Sequence, residues 1–254
     1  MNMNMIMNMN LFIFTLLIGL SYADNIKLTE FNHVTIRGPI TDNSIGKIIF
    51  KINKIETDDI YIYIQSPGGS VDSGYTFIQQ MDYLKNTGKN IKCITDISHS
   101  MAFIILQNCN ERYATISSIA MQHQIFFSLK GYIKNVESRM NLIESISEKL
   151  DVFQAKKIGI TTEQFREKIQ HDWWIAGDNL VKENIVDKMV TVGCSSSLFK
   201  KKNTENFSTP YGNVKLILSG CPLIRNPIRE IFDDDYSNDI KNKIRKSYNI
   251  YYVT

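Results

Sequence analysis

The sequence predicts an α/β fold built on a largely parallel sheet. Short runs rich in isoleucine, valine and tyrosine, which are typical of buried strands, alternate with segments whose apolar residues recur every three or four positions. Alternating strands and helices favour strands that lie side by side and run parallel. The 254 residues, 43% hydrophobic and 22% charged, are enough for one globular domain with tails.

The elements of the amino-terminal half follow one another regularly. The first strand is predicted over 33–38, and the helix behind it has Asp42 and Asn43 as its cap and isoleucines at helical spacing. The remaining strands are predicted over 60–64, 91–95, 113–114 and 120–122, and the remaining helices over 74–84 and 101–106.

The carboxyl-terminal half begins with a long amphipathic helix. Apolar residues recur at three- and four-residue steps over 136–153, and most charged residues lie on the other face. Such a stripe fits an assembly contact and also ordinary packing on the sheet. Residues 161–164 have the form of a capping box and predict another helix. A polar linker is expected over 195–203, within an extension, 193–254, whose role the sequence does not reveal.

The first 23 residues have the form of a secretory signal peptide. An apolar run over 11–20 precedes Ser21-Tyr22-Ala23, which places small residues at the −3 and −1 positions of a cut after Ala23. The run is too short to span a bilayer comfortably, but it lacks a preceding lysine or arginine, so an uncleaved anchor or a buried helix is the alternative. We therefore expect an exported, extracytoplasmic protein that begins at Asp24.

All four cysteines lie beyond that cut, and an exported chain could join them in two disulfides. Three pairings are possible. Cys194 and Cys221 flank a polar loop and are expected to pair with each other, whereas Cys93 lies in a predicted buried strand and is expected to be a core thiol. No Cys-x-x-Cys or His-x-x-x-His spacing indicates a metal, and at net charge +3 no basic block mixed with aromatics indicates nucleic acid.

A glycine turn carries the functional argument. Ser66-Pro67-Gly68-Gly69-Ser70 follows the strand over 60–64, and glycines without a Cβ let a substrate approach bare backbone N–H groups. Such a turn can form an oxyanion hole. Ser100 begins an apolar helix, whose free N–H groups would favour a developing negative charge. Ser100 is the predicted nucleophile, and Ser98 is the alternative.

A serine nucleophile needs a base and a group that orients this base. The chain has four histidines, of which His99 adjoins Ser100 and His123 follows a short predicted strand. A residue next in sequence to a helix-start serine usually points elsewhere, which favours His123. Asp172 is the predicted third member, and Asp178 is its nearest substitute.

These motifs resemble the family of the Clp protease proteolytic subunit, ClpP. The resemblance lies in 59–71, in Ser100-Met101-Ala102, in 112–114 with 121–124, and in Asp172 ahead of 185–187. It covers about 34–190. The chain departs from the family in His171, where the family has an arginine, in the bulky Trp173, and in a shorter stretch between Ser100 and His123.

The resemblance implies a ClpP/crotonase-like spiral of βα units, in which the long helix is a handle between two rings. It implies a serine-type endopeptidase in which Ser100 attacks, His123 is the base and Asp172 orients the base. The backbone N–H groups of Gly68 and Met101 would hold the oxyanion. It also implies a homo-oligomeric ring that needs no cofactor or metal.

The same resemblance makes peptides or unfolded proteins the expected substrates. ClpP works with an ATP-driven unfoldase, but an exported protein meets no ATP, which argues against such a partner here. Both an ATP-independent and an unfoldase-assisted peptidase remain open. The domains expected are a signal peptide (1–23), a peptidase domain (24–192) and the extension (193–254).

Two other functions are compatible with the sequence. A catalytically silent ClpP-like subunit would act as a scaffold or regulator in a mixed ring, although the complete set of triad residues argues against it. A peptidase of the related serine–lysine type would need a lysine base, whereas a histidine, His123, occupies the family position.

Overall fold

The computed structural model describes residues 24–252, so the predicted signal peptide lies outside the described residues. A seven-stranded sheet forms the centre of the molecule. Its strands are β1 (Asp24–Leu28), β2 (His33–Arg37), β3 (Asp59–Ser66), β4 (Asn90–His99), β5 (Glu111–Gln122), β6 (Trp173–Ala176) and β7 (Lys188–Cys194). Their spatial order is β1-β7-β5-β4-β3-β2, with β6 paired to β5, and only the β5–β6 pair is antiparallel. The mostly parallel sheet confirms the predicted fold class.

Helices cover one face of this sheet. They are α1 (Asp42–Ile52), α2 (Val71–Asn86), α3 (Met101–Gln107), α4 (Ile133–Ile158), α5 (Thr162–Lys168) and α6 (Asn179–Lys182). The cap of α1 is Thr41 rather than Asp42, because the Thr41 hydroxyl accepts a hydrogen bond from the Ser44 N–H. Thr161 caps α5 in the predicted capping box. Isoleucines of β3 and phenylalanines of the helices share one apolar core.

Two strands are longer than the sequence pattern indicates. The segments predicted over 113–114 and 120–122 belong to the single strand β5. Relative to β3, Asp96 is an extra residue of β4, because Ile64 pairs with Thr95 and Gln65 pairs with Ile97, and β4 continues to His99. Ser98 and His99 therefore lie in the sheet, and Ser100 follows directly at the strand end.

The long helix α4 covers the predicted stripe over 136–153 and extends beyond it at both ends. Only its second half is buried, through residues such as Leu150, Gln154 and Ile158. The first half protrudes with exposed apolar side chains, including Ile133 and Leu142. Within residues 24–252, no helix combines the length and apolarity needed to cross a membrane.

The predicted polar linker over 195–203 is wrong, because these residues are folded. They form α7 (Ser196–Lys200) and the beginning of β8 (Lys202–Thr209), which pairs with β9 (Gly212–Ser219). β9 also pairs with β10 (Arg229–Phe232), and α8 (Asn238–Tyr252) packs on this small antiparallel sheet. A second apolar cluster, built on Val214, Leu216, Leu218 and Ile244, holds it together.

The extension is attached to the outer face of the main sheet, opposite the helices. Leu198 and Cys221 pack against Tyr63 and Tyr113 there. The Arg225 guanidinium pairs with the buried Asp96 carboxylate, which also accepts a hydrogen bond of 2.6 Å from the Gln65 amide. Burial and the neighbouring Asp96 carboxylate raise the pKa of Tyr63.

Two disulfides join the four cysteines. Cys194 is bonded to Cys221, as expected, and this bond ties the extension to the end of β7. The expectation of a free thiol at Cys93 is wrong, because Cys93 is bonded to Cys109 in the loop after α3. Burial alone suggested an inert thiol, but the return of the chain after α3 brings the two Cα atoms to 5.8 Å, which is a normal disulfide spacing.

Candidate active site

The predicted site residues meet at one edge of the main sheet. β3, β4 and β5 are parallel neighbours, and Ser66, Ser98 and Ala120 lie in one row across them. The glycine turn, Ser100 and His123 each follow within three residues of that row. Because the carboxyl ends of parallel strands meet at the same edge, sequence-distant residues come together in a single cleft.

Ser100 lies between the end of β4 and the start of α3 in an unusual backbone conformation. Its φ is 54° and its ψ is −121°, which non-glycine residues rarely adopt. Its N–H donates to the Met121 carbonyl at 2.9 Å, and its carbonyl accepts from the Phe103 N–H at 2.9 Å. Its hydroxyl makes no capping bond to α3. The strained backbone therefore presents a hydroxyl that takes no part in holding the helix.

The glycine turn is packed directly against Ser100. Gly68 has a φ of +90°, and a Cβ placed on it would lie 2.6 Å from the His99 carbonyl oxygen and 2.8 Å from the Ser100 Cβ. It would also lie 3.0 Å from the Met101 nitrogen, so the two predicted oxyanion donors are neighbours. The Gly68 N–H donates to the Ser66 hydroxyl at 3.1 Å. A substrate oxyanion would have to take this N–H from Ser66.

Ser100 and His123 line the same cavity of about 250 Å³. Its walls are largely apolar, with Val71, Ile104 and Leu150 among the lining residues. Among the residues that the structure describes, no lysine lines this cavity. A histidine is thus the basic side chain that faces the same space as the candidate nucleophile.

Strand register directs Asp172 toward His123. β6 is antiparallel to β5, with Trp174 opposite Met121 and Trp173 opposite Gln122. These pairs end the ladder, and one further step of the same register would set Asp172 opposite His123, at the Cβ spacing of about 5 Å that directly opposite residues of antiparallel strands have. Asp178 lies beyond the other end of β6, and the strand from Asp172 to Ala176 alone spans about 13 Å at about 3.3 Å per residue, so the register does not bring Asp178 to His123.

The three candidate side chains do not form a hydrogen-bonded relay. Within residues 24–252, no hydrogen bond joins the side chains of Ser100, His123 and Asp172. The hydrogen bond found for His123 is donated by its backbone N–H to the Gln122 side-chain oxygen, at 3.1 Å. A catalytic relay would require these side chains to move within hydrogen-bond distance of one another.

The two alternatives raised from sequence lie away from the cleft. Ser98 is fully buried, and its hydroxyl accepts a hydrogen bond of 2.8 Å from Thr95. His99 points to the opposite face of the sheet, where its ring meets the Trp174 ring edge to face at 4.9 Å. Burial lowers the pKa of His99, and its Nε2 has no hydrogen-bond partner among the described residues. Neither side chain is placed to act on a substrate at Ser100.

Sequence reasoning missed three polar residues of the site. Ser66 holds the Gly68 N–H, and the buried amides of Gln122 and Gln154 lie between His123 and α4. Gln122 and Gln154 occupy core positions where strand and helix patterns favour apolar residues. A glutamine at such a position is the sequence signal that could have identified them. Within the described part of the chain, no group of three or more His, Cys, Asp or Glu side chains could hold a metal ion.

Comparisons of the sequence with known proteins find one family model and several curated relatives. Residues 21–193 match the family model described as Clp protease. The chain is 29% identical over 164 residues to the ATP-dependent Clp protease proteolytic subunit 2 of Bacillus licheniformis, covering 64% of this chain and 83% of that protein. It is 23% identical over 156 residues to the ATP-dependent Clp protease proteolytic subunit 1 of Borreliella burgdorferi, covering 61% of this chain and 80% of that protein.

Proposed function

Because this chain belongs to the Clp protease family, we propose that it is a serine-type endopeptidase with Ser100 as its nucleophile. The observation that carries the proposal is the cleft itself. Ser100 and His123 line one cavity, the glycine turn touches Ser100, and the register of β5 and β6, continued by one residue, would set Asp172 opposite His123. A nucleophile, a base, an orienting carboxylate and an oxyanion hole are the parts that peptide hydrolysis by serine requires.

The reaction follows from these positions. The Ser100 Oγ attacks the peptide carbonyl carbon while His123 accepts the hydroxyl proton, and Asp172 stabilises the imidazolium that forms. The Met101 and Gly68 N–H groups hold the oxyanion, each contributing about 3 kcal/mol to transition-state stabilisation. The intermediate collapses to an ester on Ser100, and the leaving amine takes its proton from His123. Water, deprotonated by His123, then attacks the ester, and the Ser100 Oγ leaves with the proton from His123 as the acid product is released.

Assembly is the second part of the proposal. The first half of α4 has exposed apolar side chains, with Ile133 76% and Leu142 60% exposed, and Phe126 before it is 88% exposed. Exposed large apolar side chains favour contact with another copy of the chain. We infer that the chain forms a homo-oligomeric ring, in which contacts along α4 restrain the cleft and bring the three side chains into the relay.

Peptides and unfolded proteins are the proposed substrates, in a compartment reached by export. Two disulfides are typical of proteins outside the reducing cytosol, which supports this location. The matched bacterial proteins are named as ATP-dependent. An unfoldase needs ATP, which an exported protein does not meet. We therefore propose a peptidase that accepts substrates that are already unfolded.

Covalent labelling tests the proposed chemistry. A fluorophosphonate probe is incubated with the purified full chain, with Ser100→Ala and with the matched control Ser98→Ala, and the adduct is mapped by mass spectrometry. We expect a single adduct on Ser100, no labelling of Ser100→Ala, and wild-type labelling of Ser98→Ala, with cleavage of an unfolded test protein following the same order. A folded wild type that is neither labelled nor active would instead indicate the silent scaffold.

A further inference from the structure

The cleft contains a buried amide pair that the catalytic proposal leaves without a role. Gln122 is the last residue of β5, Gln154 lies on α4, and each is 2% exposed. Both line the cavity that Ser100 and His123 share. Burying an amide is costly unless its hydrogen bonds are satisfied, so two adjacent buried glutamines next to a base call for an explanation.

Their hydrogen bonds form one continuous chain from the base to the helix. The His123 N–H donates to Gln122 Oε1 at 3.1 Å, Gln122 Nε2 donates to Gln154 Oε1, and Gln154 Nε2 donates to the Leu150 carbonyl at 3.1 Å. A backbone N–H can be met only by the oxygen of an amide, and a carbonyl only by its nitrogen. The two ends therefore fix the orientation of both amides, and each amide holds the other.

His123 depends on this chain because the sheet ends before it. The β5–β6 ladder stops at Gln122 opposite Trp173, so His123 receives no further support from strand pairing. Within residues 24–252, the bond to Gln122 is the one hydrogen bond that the structure gives His123. The base is thus held through a side chain, and that side chain is held by α4.

We propose that Gln122 and Gln154 are positioning residues that fix the backbone of His123 relative to α4. The proposal rests on the proposed function, in which His123 is the base. Gln154 reaches the base only through Gln122, so the pair acts as a unit. Because Gln154 lies on the same helix whose first half protrudes, a shift of α4 changes the position of His123 and with it the rate of proton transfer.

The variants are chosen to break this chain at each end with little change in volume. Gln154→Met leaves Gln122 Nε2 without an acceptor, Gln122→Met leaves the His123 N–H without one, and the double variant removes both amides. Ile158→Val is the control, since Ile158 is buried on α4 one turn further along and makes no bond to the amides. Circular dichroism and the unfolding midpoint are measured for all four variants.

The readouts are kcat and KM for an unfolded peptide, the pH profile of kcat/KM, and the rate of fluorophosphonate labelling of Ser100. We expect kcat and the labelling rate to fall between about 10- and 100-fold in each single variant, with KM changed by less than about twofold. The double variant should lose no more than the worse single variant, because one broken link already frees His123. The acidic limb of the pH profile should shift, since a loosened imidazole interacts less with Asp172.

Other results would overturn the proposal. If KM rises and kcat is unchanged, the amides contact substrate instead of holding the base. If the losses match those of Ile158→Val at equal stability, or if the two single effects add in the double variant, the pair has only a structural role. A wild type that is not labelled at Ser100 refutes the proposed function, and the positioning role with it, and this outcome is distinct because no variant is needed to see it.

Discussion

At Gly68 the turn after β3 touches the backbone of Ser100, the proposed nucleophile. A side chain there would collide with the His99 carbonyl at 2.6 Å, and φ at this position is +90°. We predict that Gly68→Ala reduces kcat/KM at least about 100-fold, because the turn must move away from Ser100 and withdraws an oxyanion donor. Peptide hydrolysis by the purified variant is the measurement.

The chain offers a matched control for this substitution. Gly88 has a φ of +92° but no atom within 4 Å of the position of its Cβ. Gly88→Ala therefore has the same backbone strain, worth about 1 kcal/mol, without the collision. It should lower the unfolding midpoint slightly and retain full activity. Equal losses of activity in both variants would mean that backbone strain alone explains Gly68→Ala.

The lowered pKa of His99 makes the unfolding free energy depend on pH. Burial lowers its pKa in the folded protein below the ordinary value of about 6.5, so the fold favours the neutral ring. The unfolded chain then binds the proton more tightly, and stability that is present above pH 6.5 is lost as the pH falls through the folded pKa. His99→Phe should reduce the loss of unfolding free energy between pH 7 and pH 5, measured by urea denaturation. Half-buried His33, whose pKa is also lowered by desolvation, leaves part of the pH dependence of stability in place.

Single residues of the site were predictable where local chemistry identifies them. A glycine turn after a strand and a serine at a helix start have local signatures, so Gly68 and Ser100 could be named from sequence. Partners brought together only by the fold could not. The Cys93–Cys109 bond depends on how the chain returns after α3, and the Gln122–Gln154 pair depends on where α4 crosses the end of β5.

The prediction on assembly concerns the exposed first half of α4. Met140 lies in the protruding half and is 41% exposed, so a charge there does not disturb the folded protomer. Met140→Asp should dissociate the oligomer and lower activity, because burying an unpaired charge at a contact costs several kcal/mol. Analytical ultracentrifugation, run beside a peptide assay, measures both effects.

The neighbouring position provides the comparison for α4. Asn141 is exposed, about 100° around the helix from Met140 and outside the apolar stripe over 136–153, and Asn141→Asp adds the same charge. This variant should remain assembled and active. A wild type that is monomeric and fully active would contradict the ring and leave the stripe as ordinary surface.

Helices and strands whose apolar residues recur at a regular spacing were predictable from the sequence. The residues at which these elements begin and end were not. The stripe over 136–153 identified α4, but tertiary contacts through Leu150 and Ile158 extend it to 158. The segment over 195–203 looked like a linker because it is rich in serine and lysine. It folds because Leu198 is buried and because the Ser195 hydroxyl caps α7.

On the scale of the whole molecule, one buried ion pair joins the extension to the main sheet. Asp96 is 3% exposed and pairs with Arg225. Arg225→Met should destabilise the protein by about 2 kcal/mol, because the buried carboxylate loses its charged partner and keeps neutral ones such as Gln65. Combining it with Asp96→Asn should restore most of that loss. Chemical denaturation of the two single variants and the double variant measures the coupling, and additive effects would show that the pair is not energetically linked.

The Cys93–Cys109 disulfide closes a loop of the chain that contains Ser100, the proposed nucleophile. Cys93 lies in β4 and Cys109 just after α3, so Ser100 and the whole of α3 lie inside a loop with a sequence separation of 16. A loop of this size restricts the unfolded chain by about 3 kcal/mol. Proteases cut chains that open locally, and a segment tied at both ends cannot separate from the sheet far enough to enter another cleft. In the proposed ring of peptidase subunits, this bond would protect from self-digestion the segment that carries the proposed nucleophile.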